Sequence, residues 1–116
     1  MGIEKDYLMR QLMMLFEVIH KILRHRKKGE IEEAEQEIQY FYECLKIDED
    51  VQKLTIEHIE LVAFVLKEQG ELANEKNNKL NLFRKSYFLL EKIDRESTAF
   101  SMDRQLKIAE LKEYLN

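Results

Sequence analysis

Residues 56–73 read I-E-H-I-E-L-V-A-F-V-L-K-E-Q-G-E-L-A (Ile56–Ala73), and the number of apolar sides on this stretch decides the fold. Ile59, Val62, Ala63, Leu66 and Ala73 fall at helical spacing on one face, with Leu61, Val65 and Leu72 in a second stripe beside it. Phe64 faces away from much of the first stripe. Glu57, Glu60, Lys67, Glu68 and Glu71 leave only a narrow polar face. A helix at the edge of a bundle needs one apolar stripe; one with neighbours on two sides needs more. The stretch therefore reads as the middle helix of a helical domain. Thr55 is placed to cap its start, Leu54 to pack on Ile59 as a hydrophobic staple, and Glu57 to face the positive end of the helix dipole.

The rest of the chain agrees. Its 116 residues suit a single domain (1–116), able to bury roughly two-thirds of its unfolded surface. There is no proline, and the only glycines are Gly2, Gly29 and Gly70. Charged residues, chiefly Glu and Lys, reach 36%, and both are good helix formers. The expected fold is all-α, with five helices. A net charge of −4 argues against wholesale neutralisation of phosphates, so no nucleic-acid partner is expected. A lone cysteine, Cys44, permits no internal disulfide and suits a reducing, cytoplasmic setting. Early charges at Glu4, Lys5 and Asp6 do not read as a signal peptide. No apolar run approaches the ~18 residues that would span a membrane.

The first helix is expected over about Ile3–Lys27. Its main stripe is Leu8, Leu12, Leu15, Ile19 and Ile22; Tyr7, Met14 and Val18 form another, and Met9, Met13 and Phe16 add more. That is more than one stripe requires. It either crosses several helices or keeps a surface for a partner. Its basic end (Lys21, Arg24, Arg26, Lys27, Lys28) and the acidic start of the next helix (Glu30, Glu32, Glu33, Glu35, Glu37) flank Gly29. Dipole complementarity and a left-handed glycine cap account for this inversion. The second helix, about Glu30–Leu45, lines one face with Ile31, Ala34, Ile38, Phe41, Tyr42 and Leu45. A solvated connection follows over 46–54. Its Asp48, Glu49 and Asp50 fail as a calcium loop, because the glycine is missing and Ile59 stands where the twelfth ligand belongs. N-E-K-N-N (Asn74–Asn78) reads as a turn, followed by a fourth helix over Lys79–Ile93, a break at Asp94–Ser97, and a fifth helix over Met102–Leu115 capped by Ser101.

The segments Gly29–Asp48 and Asn77–Asp94 repeat a pattern, setting Ala34 against Leu82, Ile38 against Ser86 and Phe41 against Leu89. The first resembles the second half of a tetratricopeptide repeat, and Gly70 lies where such repeats carry a first-helix glycine; the large aromatic and closing proline of the motif are absent. D-Y-L-M-R-Q-L (Asp6–Leu12) with K-K-G-E-I-E-E-A (Lys27–Ala34) is similar to a bacterial family of uncharacterised tetratricopeptide-like proteins. The resemblance implies two antiparallel helical hairpins plus a C-terminal capping helix, and an interaction role. It carries no catalytic residues.

Catalytic and metal chemistry find no foothold. Glu17 and His20 have the i, i+3 spacing of a carboxylate–histidine metal motif, but neither His25 nor His58 repeats it. Cys44 lacks an evident base, and there is no phosphate-cradling glycine loop. No enzyme activity, cofactor or metal is therefore expected. The leading expectation is an adaptor that binds a protein or peptide. By repeat geometry its contacts are Phe16 and Arg26 on the first unit and Phe64, Lys67, Glu71 and Asn74 on the second. The alternative is a homodimer formed through the Met-rich side of the first helix.

Overall fold

A computed structural model describes residues 2–46 and 55–116, with the side chains of 2–5 and 46 left undescribed. Among these residues the protein is all-α. Five helices follow one another: α1 (Gly2–Lys27), α2 (Ile31–Lys46), α3 (Ile56–Leu72), α4 (Lys76–Glu96) and α5 (Met102–Leu115). The Asp48–Asp50 loop and the Leu54 staple lie outside the described residues. The chain groups into two compact units, Met1–Leu61 and Val62–Asn116, so the boundary falls inside α3.

In the first unit, α1 and α2 pack as a hairpin. Its turn is built as the residue types dictate. Gly29 adopts a positive φ of 77°, its N–H bonds to the Arg26 carbonyl (3.0 Å), and the Glu30 N–H reaches back to His25 (2.9 Å). The core comprises Leu15, Val18, Ile19 and Ile22 of α1 with Ala34, Ile38, Phe41 and Cys44 of α2. Leu8 and Leu12 are only half-buried, and Ile31 is exposed.

The start of α3 completes this unit, by a cap the sequence only half disclosed. Thr55 Oγ1 accepts the His58 N–H (3.3 Å), and the Thr55 N–H donates to His58 Nδ1 (3.3 Å). This is a capping box with histidine in the place usually held by Glu or Gln. A backbone N–H can only donate, so Nδ1 accepts. The imidazole hydrogen then sits on Nε2, which donates to Gln11 Oε1 of α1 (2.9 Å). The Thr55 hydroxyl donates to the same Nδ1 (2.7 Å). His58 is buried and works as a neutral ring; burial holds its pKa below the ordinary histidine value, with Glu57 pulling weakly the other way.

In the second unit, α3, α4 and α5 form a three-helix arrangement. Small residues let α3 and α4 approach closely. Ser86 Oγ donates to the Ala63 carbonyl (2.6 Å), and Phe83 lies against Gly70. Lys79 of α4 reaches back to the Gly70 (2.7 Å) and Glu71 (3.2 Å) carbonyls, satisfying the acceptors left open at the end of α3. That reach explains why α4 begins at Lys76 rather than Lys79: Asn77 and Asn78 are helical, although their composition suggests a turn. At its other end α4 runs to Glu96, three residues past the expected stop at Ile93. Asp94 Oδ1 accepts from Arg104 Nε (2.9 Å) and Gln105 Nε2 (2.7 Å), and Arg104 also donates to the Ala99 carbonyl (2.8 Å). Ser101 caps α5 as expected, accepting the Arg104 N–H at 3.2 Å.

From His58 to Leu72 no residue of α3 is exposed. The narrow polar face expected there is smaller still: Lys67 and Glu68 are buried, Glu60 and Glu71 are half-buried, and only Glu57 is exposed. Of the paired positions in the repeat, Ile38 and Ser86 are both buried as expected, whereas the other two pairs shift by one residue: Ala34 and Phe41 match the buried Phe83 and Leu90, because Leu82 and Leu89 are only half-buried.

Candidate docking surface

The residues expected to meet a partner divide sharply between the two units. On α3, Phe64 and Lys67 are already engaged by the chain's own fifth helix, and Glu71 lies beside Lys67 on the same helix. Phe64 is 5% exposed, with Lys107 Nζ 4.6 Å above its ring. Lys67 Nζ lies 2.7 Å from Glu110 Oε2, 3.9 Å from Glu71 Oε1 and 5.9 Å from the Tyr114 ring. The offset that pairs Phe64 with Lys107 also pairs Lys67 with Glu110, so α5 runs parallel to α3 along this face. Tyr114 then stacks on Phe83 of α4 (4.5 Å, 9°). The side chains chosen for recognition do recognise a helix, and that helix is α5. Asn74 is exposed just beyond the end of α3.

On the first unit Arg26 is half-buried, whereas Phe16 is exposed together with Met9 and Met13, and their row continues into basic residues that the sequence marks only as a helix end. Met9, Met13, Phe16, His20, Arg24 and Lys27 follow one another at three- and four-residue steps, so they lie along a single face of α1. Of these, Met9, Met13 and Phe16 retain 52%, 64% and 41% of their surface, and His20, Arg24 and Lys27 are exposed. Phe16 and His20 touch edge to face (4.8 Å). The N-terminal half of this row is apolar and the C-terminal half basic.

The basic half borders an open concavity of about 540 Å³ lined by His20, Leu23, Arg24, Lys27 and Lys28. Among the described residues no carboxylate pairs with Arg24, Lys27 or Lys28. Nearby, His25 Nδ1 contacts Glu30 Oε1 at 3.0 Å across the turn. Helix-dipole complementarity accounts for cations at this end of α1. It does not account for their alignment with an exposed apolar row. The spacing was present in the sequence, but coverage by neighbouring helices had to be known before the row could be told from core.

Other groups lend themselves less to a site. Glu17 and His20 are both exposed, and among the described residues no three His, Cys, Asp or Glu side chains are placed to hold a metal ion. Cys44 is a buried free thiol. Phe88, Phe100, Met102 and Leu106 are exposed in the second unit, where only Met102 and Leu106 share a helix face, one turn long. No helix among the described residues is long and apolar enough to cross a membrane. Comparisons with protein-family models, with curated proteins and with solved structures found no match to this chain.

Proposed function

We propose that this chain is a protein- or peptide-binding helical module, an adaptor without catalysis of its own, and that it docks its partner on the exposed face of α1. The row Met9–Met13–Phe16–His20–Arg24–Lys27 carries this reading. Side chains that large and apolar, aligned along about two turns and left outside the core, are what a partner helix buries when it lies on another. Methionine adapts its shape to a partner at small cost. The shared burial pattern of α2 and α4 supports a helical-repeat ancestry, and the tetratricopeptide-like bacterial family remains the kindred we propose. The face of α3 has α5 as its resident occupant, which moves the docking role to the first unit.

The test is a peptide-display selection of helical 20-residue sequences on the intact protein, repeated on Met13→Glu. Met13 is exposed, so the variant should fold, and circular dichroism checks that it does. Ligands that emerge on the native protein and lose binding to the variant support the reading. Failure to select any ligand overturns it. The same apolar residues also favour a second reading, a homodimer through the Met-rich side of α1; sedimentation showing a dimer that Met13→Glu dissolves would establish that reading instead.

A further inference from the structure

Resting on the docking role of α1, the geometry points to the chemistry of the partner: we infer an amphipathic helix that lies antiparallel to α1, with acidic side chains in its first two turns and bulky apolar side chains in the turns that follow. From Met9 to Lys27 the row spans 18 steps, about 27 Å at the helical rise. A helix laid antiparallel along it brings its own N-terminal turns beside His20, Arg24 and Lys27 and its later turns beside Met9, Met13 and Phe16. Acids at a helix N-terminus suit that helix's own dipole, and here they also face Arg24, Lys27 and Lys28, with which no carboxylate pairs among the described residues. The concavity lined by His20, Leu23, Arg24, Lys27 and Lys28 gives those carboxylates room to enter. The partner's charge is thereby set by α1, and its antiparallel direction by the preference of acids for a helix N-terminus.

A second copy of this chain fits the same face poorly. Two α1 rows in parallel register bring cations against cations. In full antiparallel register each basic half lies mainly on the other's apolar half, where the exposed acids Asp6 and Glu17 only flank the row. Docking through the apolar halves alone leaves three half-exposed side chains on each copy, roughly 300 Å² if each can offer on the order of 200 Å², against about 800 Å² per partner in a stable interface. Nucleic acid would use the cations and leave the methionines idle, and the net charge of −4 opposes it.

The experiment uses the intact protein and the ligands selected on it by display. Their sequences should show two or more Asp or Glu in the first two turns and apolar residues two to three turns later. Arg24→Glu with Lys27→Glu should weaken them by about tenfold at moderate salt, with the loss growing as salt is lowered. Replacing the ligand's acids with lysine should restore binding to that double variant and abolish binding to the native protein. Ligands that lack acids, or that bind the double variant unchanged while still depending on Met13, overturn the charge inference and leave the docking reading standing. Failure to recover any ligand sinks both. A dimer in sedimentation that Met13→Glu dissolves, or tight binding of a single-stranded oligonucleotide that ignores Met13→Glu, overturns the inference in favour of those occupants.

Discussion

Replacing Gly70 with alanine sets two opposing effects against each other, and the structure decides between them. Gly70 lies inside α3, where alanine should favour the helix by about 1 kcal/mol. A Cβ there would stand 2.5 Å from Phe83 Cε1, 2.6 Å from Cδ1 and 3.2 Å from Cζ. Comfortable carbon contacts begin near 3.5 Å, so the ring must retreat by about 1 Å. It has little room to do so. Phe83 is 1% exposed, its other side stacks on Tyr114 at 4.5 Å, and Lys79 Nζ lies 5.5 Å from its centroid. Overpacking of this kind costs about 1–3 kcal/mol, and the confined ring puts the cost toward the upper end. Gly70→Ala should therefore destabilise the second unit by about 1–2 kcal/mol net, lowering its unfolding midpoint by several degrees. Hydrogen exchange of the α3–α5 amides reads this unit separately from the first. Phe83→Leu removes Cε1 and Cζ, so in the double variant the alanine should lose most of its cost, giving a coupling of about 1 kcal/mol or more. A Gly70→Ala protein about 1 kcal/mol more stable than the native would refute the reasoning: Gly70 would then be merely a weak helix residue, with no close approach of α4 for it to permit.

Three further perturbations probe the contacts that hold the helices in place. His58 is held neutral in the fold, with its pKa below the ordinary value of about 6.5. The unfolded chain therefore takes up its proton first as pH falls, so stability conferred by this ring is complete above about 6.5 and declines below it, toward the lower folded value. Urea midpoints of the native protein should fall between pH 7 and 5, and His58→Gln, which can keep both hydrogen bonds, should flatten that slope; equal slopes would count against the cap. Asp94 is shifted the other way, because the hydrogen bonds from Arg104 and then Gln105 hold its carboxyl below the usual carboxylate range. Its contribution is present above about pH 4 and is lost as pH falls through the depressed value. Amide protection factors in the first turn of α5, each taken against the intrinsic exchange rate at its pH, should fall at low pH in the native protein and be already reduced at neutral pH in Asp94→Ala. Lys67 is buried between a half-exposed Glu110 at 2.7 Å and a mostly buried Glu71 at 3.9 Å. Glu110→Gln, which removes the exposed partner alone, should cost within about 1 kcal/mol, whereas Lys67→Met also takes the cation from Glu71 and should cost more, up to about 3 kcal/mol; equal, small losses in urea titrations would show that packing, and not the ion pairs, seats α5.

What could be read ahead from the residues follows from where the deciding interaction sits. Turns governed by local chemistry were legible: Gly29 had to adopt a positive φ, Ser101 had an N–H to accept, and Thr55 stood before a helix. The apolar excess of α3 was equally plain, because burial on several sides needs apolar residues on several sides. The start of α4 was not legible, since asparagines favour turns and only a lysine reaching across to α3 carbonyls tips them into helix. Lys67 and Glu68 looked like solvent-facing charges; a charge announces burial only when its partner is known, and the partner Glu110 lies on another helix.

The same asymmetry explains why the α3 residues expected to meet a partner are engaged inside the fold, while Met9, Met13 and Phe16 of α1 read equally well as core or as partner surface. Residues able to bind a helix look alike whether that helix is supplied by the same chain or by another. Phe64, Lys67 and Glu71 have the mixture of ring, cation and carboxylate that a docking face needs, and α5 meets it with Lys107, Glu110 and Tyr114. Met9, Met13 and Phe16 look like core by composition and are set apart only by what fails to cover them. The physical distinction is therefore one of coverage. A surface already satisfied from within needs α5 displaced before anything else can bind, whereas the α1 row loses only water when a partner arrives. Under the proposed docking role, the free-energy difference between those two events would favour α1 over α3 as the landing place.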